Sequence, residues 1–177
     1  LLLKTYPALA SGRLEDKAQR SALHIAAQRG SMAHLRIAEL LLAAGAEVEA
    51  TTIGGLTPLH YAMASGSHAM VHRLLRAGAS IAARGKRYGA TPLHAAAANG
   101  ALAALQSVLV HTNERLQLES FLDLQGRTPL ASAALCESAD ALACARLLLS
   151  ETDVDVNRQD AKGRSPLAYF MRRLVDH

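Results

Sequence analysis

The chain has 177 residues, with 19 Lys+Arg against 15 Asp+Glu for a net charge of +4; half of it is hydrophobic but only 3% aromatic, with no Trp. Its apolar mass is Ala and Leu in short runs broken by charge or Gly, which suits closely packed helices and leaves no stretch able to span a bilayer, so membrane insertion is not expected. Two cysteines supply no disulfide framework and point to a reducing compartment, the cytosol or the nucleus, and the small basic surplus does not by itself indicate nucleic acid.

In chain order, Leu1-Leu2-Leu3 reads as the end of a helix whose partner is missing, which makes 1–15 a partial unit. A first whole unit, 16–51, carries Ser21-Ala22-Leu23-His24, Gly30, Leu40 to Leu42 and Gly45-Ala46. The second, 52–85, is the clearest. Thr57 suits a helix N-cap and Pro58 the first helical position, where a missing N–H costs nothing. Leu59, Ala62 and Met63 then share one helical face, Gly66 closes the helix, Val71, Leu74 and Leu75 stripe a second helix, and Gly78 ends it. The third unit, 86–122, repeats this with Gly89, Thr91 to His94, Gly100 and Val108-Leu109, but runs from His111 to Glu119 without a closing Gly-Ala. The fourth, 123–159, carries Gly126, Thr128 to Ala131 and Leu147 to Leu149. A partial fifth, 160–177, opens with Gly163 and Ser165 to Ala168. Extra residues near Ser31-Met32-Ala33 and near Glu137 to Asp140 are expected in loops, because stacked helices lose register when they lengthen. Residues 1–177 thus read as a single repeat domain, and both ends read as cut, so a longer parent chain is expected.

The motif Thr-Pro-Leu-His and its near copies begin at residues 21, 57, 91, 128 and 165, in steps of 36, 34, 37 and 37. This pattern resembles the ankyrin repeat family from about Asp16 to Tyr169, because five copies keep phase with the glycines and the leucine pairs. The resemblance implies an all-α solenoid of stacked helix–turn–helix units, with loops projecting as β-hairpin fingertips. It also implies a concave face, made of fingertips and first helices, that binds other proteins. The family has no shared catalytic residues, so none carry over.

Several residues invite a chemical reading. His24, His60 and His94 share one motif position. Neighbouring units lie about 10 Å apart, whereas zinc ligands converge at about 2 Å; hydrogen bonds to the loop backbone between units are therefore expected. Ala131 and Ala168 take the place of this histidine in the last two units, whose junctions should be looser or differently bonded. His68 and His72 have the i,i+4 spacing of a metal pair but no Glu, Cys or third His nearby in sequence, so a solvated helix face is expected. Cys136 and Cys144 read as two small buried thiols. No phosphate loop, nucleophile elbow or zincin motif is present, so no metal, cofactor or enzymatic activity is expected.

Ten of the 19 Lys+Arg fall in fingertip loops: Arg13, Lys17, Arg20, Arg84, Lys86, Arg87, Arg127, Arg158, Lys162 and Arg164. Glu15, Asp16, Asp123, Asp155 and Asp160 lie among them. A solvated mixed-charge edge and a docking ridge for an acidic partner are both open readings. Nucleic acid is disfavoured because Tyr88 is the lone stacking residue there. The first-helix floor of the concavity comprises Gln28, Arg29, Ala64, Ser65, Ala98, Asn99, Leu135 and Cys136, small enough to admit a helix or an extended peptide. Candidate partner-binding residues are Arg20, Gln28, Arg29, Ser65, Lys86, Arg87, Tyr88, Asn99, Arg127 and Arg164. The expected function is a protein- or peptide-binding module. A targeting or regulatory module of a larger enzyme or channel is the alternative, and a nucleic-acid surface a weaker one.

Overall fold

A computed structural model describes residues 12–13, 17–112 and 120–175. Its helices alternate in pairs: α1 (Ala22–Arg29) with α2 (Met32–Ala43), α3 (Pro58–Ser65) with α4 (His68–Arg76), α5 (Pro92–Ala98) with α6 (Leu102–Thr112), and α7 (Pro129–Ala134) with α8 (Ala141–Glu151). A ninth helix, α9 (Pro166–Val175), opens the last unit. First helices stack on first helices, α1 on α3, α3 on α5, α5 on α7 and α7 on α9, while α2, α4, α6 and α8 form a second layer. The result is the expected solenoid.

Local chemistry sets the pairs. Ser21, Thr57, Thr91 and Thr128 are extended N-caps, and Pro follows at the first helical position in all but the first of these units. Gly66 closes α3 at φ 73°, a left-handed turn in which a Cβ would be strained. Leu23, Leu59, Leu93 and Leu130, the third residues of the motif copies, are at most 2% exposed. Each contributes roughly 1.5–3 kcal/mol of burial. Two small or flexible residues one turn on, Ala26-Ala27, Ala62-Met63, Ala96-Ala97 and Ala133-Ala134, let the first helices approach closely. The same positions on α9 have no second helix over them among the described residues: Leu167 and Met171 are 60% and 55% exposed.

The extra residues of the first unit depart from expectation. α2 and α4 begin two residues after Gly30 and Gly66 respectively, yet α2 has 12 residues and α4 has 9. The three residues lengthen the helix, not the turn. Three residues are close to one helical turn, so Ala38 and Leu41 keep facing the core while Met32 and Leu40 are left in solvent. In the fourth unit the additions do lie in the loop between α7 and α8. The long stretch of unit three falls largely on residues 113–119, outside the described residues.

The fingertips are tight turns without extended strands among the described residues. Each is closed by paired backbone bonds: Thr52 N–H to Leu56 O at 3.0 Å, Asp123 N–H to Arg127 O at 3.0 Å, and Asp160 N–H to Arg164 O at 2.9 Å. Neighbouring tips are tied by single bonds from Ile53 N–H to Ala18 O, Lys86 N–H to Gly54 O, Leu124 N–H to Tyr88 O and Ala161 N–H to Gln125 O, at 2.8–3.0 Å. One bond per junction joins the tips but makes no strand.

The motif histidines cross-link the units as expected. In each, Nδ1 accepts from the N–H of the cap residue three positions back: Ser21 to His24 at 3.1 Å, Thr57 to His60 at 3.0 Å, and Thr91 to His94 at 3.2 Å. This occupies Nδ1 as an acceptor, so the proton sits on Nε2. Nε2–H then donates to the carbonyl just before the next unit's cap: Leu56 at 2.9 Å, Ala90 at 3.1 Å and Arg127 at 3.0 Å. One imidazole therefore completes a helix cap and bonds the next unit. All three rings are buried.

The last junction is differently bonded. With Ala131 in place of histidine, the buried Tyr169 packs on Ala131 and Ala134. Its hydroxyl donates to the Asp160 carboxylate at 2.5 Å. Asp160 also accepts from the N–H groups of Lys162 and Arg164, at 2.8 and 2.9 Å, and from the Arg164 guanidinium at 3.0 Å. Burial pushes this carboxyl up, but the bonds from Tyr169, the two backbone N–H groups and Arg164 outweigh it and hold it well below the usual carboxylate range.

Two consequences can be measured. Burial lowers the pKa of His24, His60 and His94 more than the carbonyl bonds raise it. The unfolded chain takes up these protons near pH ~6.5, ahead of the folded one. The stability linked to the neutral rings is thus fully present above that pH and is lost as pH falls through the lower folded values. Urea titrations at pH 7.5, 6.5 and 5.5 should show the midpoint falling with pH, and His60→Gln should flatten the slope. Separately, Asp160→Ala strips the acceptor from the terminal turn and should cost about 1–3 kcal/mol. Hydrogen exchange should show the loss concentrated in α9, with α3 and α5 still the most protected helices.

Candidate functional site

The inner surface is formed by the ends of the first helices and the row of fingertips, and the candidate residues separate there into distinct classes. Gln28 and Arg29 end α1, Ser65 ends α3, and Asn99 follows α5; all are exposed. Arg20, at the neck of the first described fingertip, donates to Gln28 Oε1 at 2.8 Å, so two candidates form one polar unit. Ser65 Oγ lies 3.2 Å from Ala27 O and 3.0 Å from Ala62 O, fastening α3 to α1. Asn99 Nδ2 donates to Ala95 O at 2.7 Å. Cys136 is buried, as expected of it as a thiol but not as a floor residue, at 5% exposure; its sulfur accepts from Ser138 N–H at 3.4 Å.

The arginines divide by what they touch. Arg127 is gripped by Asp123, whose second carboxylate oxygen accepts from Nε at 2.7 Å and from a terminal nitrogen at 2.6 Å. Asp123 Oδ1 takes the N–H groups of Gln125 and Arg127, so the carboxylate both builds the turn and neutralises the guanidinium. Arg164 has the same relation to Asp160, and its guanidinium lies 4.7 Å from the Tyr169 ring centroid. Arg84 bonds the carbonyls of Leu122 and Ser120, and Arg13 the carbonyl of Thr51 at 2.6 Å, each reaching to a different unit. These arginines hold the loops together.

Lys86, Arg87 and Tyr88 are different. All three are exposed at the tip of the third finger, and the Arg87 guanidinium lies 5.0 Å from the Tyr88 ring centroid. The neighbouring tips add Ile53 at 55% exposure and Leu124 at 69%. These apolar residues were missed in the sequence. Their signal is positional: each directly follows the residue that opens its turn, Thr52 or Asp123, where the side chain is left outside the closing bonds.

The Cys144 thiol is pushed up to about 11 by burial, then by its neighbours Cys136 and Asp140, which keeps it protonated and unreactive. Among the described residues no three His, Cys, Asp or Glu side chains are gathered as a ready metal cage. No described helix is long and apolar enough to cross a membrane.

The recurrent helix pairs, the imidazole links and the joined fingertips agree with the comparison to known families. No curated protein matches the chain. A sequence model of the ankyrin repeats (3 copies) matches residues 1–85 and again residues 83–160, which together span most of the chain. The chain therefore belongs to the ankyrin-repeat family.

Proposed function

We propose that this chain binds a partner protein or peptide along its concave side, anchored by the third fingertip. Ankyrin repeats are generally protein–protein interaction modules and are typically not enzymes. The observation that carries the finer reading is the exposed Lys86-Arg87-Tyr88 tip set between apolar Ile53 and Leu124. Arg and Tyr are over-represented among residues that dominate binding energy. A guanidinium already positioned beside an aromatic ring gives up less freedom when a carboxylate docks on it. The suited partner presents an acidic side chain flanked by apolar ones. Gln28, Arg29, Ser65 and Asn99 would line the floor beneath it. Arg127 and Arg164 support the site through their turns, since their charges face buried carboxylates.

Affinity capture tests this with two variants whose folding is checked by circular dichroism. Lys86→Glu/Arg87→Glu/Tyr88→Ala should release the captured proteins, weakening binding at least ten-fold. Arg29→Ala should weaken it less. Retention of the same proteins by the triple variant would move the site off the fingertip. Capture of nucleic acid alone, with an affinity falling steeply in salt, would overturn the protein-binding reading.

A further inference from the structure

In the layer of second helices, α2 and α4 flank a groove of about 380 Å³ lined in part by Glu39, His68, His72 and Arg73. His68 and His72 are one turn apart on α4, both exposed, with rings inclined by 18° and centroids 6.4 Å apart. The sequence offered only this i,i+4 spacing. The structure adds a third residue from the next unit.

Ser107 of α6 is 1% exposed, and its Oγ donates to Ala103 O at 2.8 Å. Having spent its single proton there, the hydroxyl meets His68 Nδ1 at 2.5 Å as an acceptor. Nδ1 must then carry the His68 proton, which leaves the Nε2 lone pair bare. A second residue fixing one ring nitrogen so that the other is available is the arrangement that orients metal-binding histidines. Two arginines, Arg73 and Arg76, also line the groove, and Glu39 offsets the charge of Arg73, which it meets at 3.0 Å. With metal–nitrogen bonds of about 2.1 Å, two imidazole centroids sharing one ion at a cis angle lie roughly 4.5–5.5 Å apart. With His68 held by Ser107, rotation of the exposed His72 side chain has to close the observed 6.4 Å to that range.

We propose that His68 and His72 chelate one divalent transition-metal ion of the class that favours imidazole, copper(II), nickel(II) or zinc(II), with Ser107 as a positioning residue and water completing the coordination. Such a two-nitrogen site is open and should follow the ordinary affinity order, with copper(II) held most tightly. It lies in the layer of second helices and does not depend on the partner-binding reading.

The test is a titration of the untagged chain with copper(II), nickel(II) and zinc(II) at pH 7.5, followed by calorimetry, with the copper complex examined by electron paramagnetic resonance. The expected result is one ion per chain with two nitrogen donors, and at least a ten-fold loss of affinity in both His68→Ala and His72→Ala. Ser107→Ala should weaken binding about ten-fold. In the metal-free protein, nitrogen NMR should show the His68 proton on Nδ1, and Ser107→Ala should shift it toward Nε2. Unchanged binding in either histidine variant, a single nitrogen donor, or His68 protonated on Nε2 in the wild type would each overturn the proposal.

Discussion

The stack depends on a single imidazole used at both of its nitrogens. Nδ1 finishes the cap of its own first helix, and Nε2 bonds the carbonyl that leads into the next unit. Capping and stacking are thereby one interaction. A unit whose first helix frays loses its grip on the following unit, and a displaced neighbour leaves the imidazole with an unmet donor in a dry interior. Three such links run consecutively through His24, His60 and His94, and the fully buried second-helix side chains Met70, Val71 and Leu74 lie within that span.

Where the imidazole is replaced by Ala131, the chain solves the junction with different chemistry. Asp160 gathers two backbone N–H groups, a guanidinium and the Tyr169 hydroxyl, while the Tyr169 ring fills the space over Ala131 and Ala134. A buried carboxylate with this many donors is fully satisfied, so burial does not neutralise it. The two solutions require opposite charge states yet respond alike to protonation. The histidine links depend on rings staying neutral, and the last junction on a carboxylate staying charged, so acid works against both.

That same carboxylate chemistry reorganises the charge on the inner edge. Ten basic residues lie in the loops among five acids, and Arg127 and Arg164 face buried acids, while Arg84 and Arg13 are committed to backbone carbonyls of other units. What stands out at the rim is a compact group at the third fingertip, Lys86, Arg87 and Tyr88, beside Ile53 and Leu124. On the function proposed above, such a group would select by shape and apolar contact as well as by charge, which favours a protein partner over a polyanion.

The sequence by itself determined the unit, its caps and its buried leucines. These rest on local rules: Thr or Ser before Pro starts a helix, glycine ends it, and a spacing of three or four residues puts apolar side chains on one face. The fivefold recurrence of the motif then made the stack legible, including the role of the histidines. Only the tertiary structure decided the rest, because it turned on contacts between residues far apart in the chain or on the phase of a longer helix. The three added residues of unit one entered α2, since nearly a full turn preserves the face of Ala38 and Leu41. Arg20 met Gln28. His68 acquired Ser107 as its partner across 39 positions of sequence. The Asp123–Arg127 and Asp160–Arg164 pairs sit four residues apart within one turn, but no local pattern announces which imidazole meets a hydroxyl of the neighbouring unit.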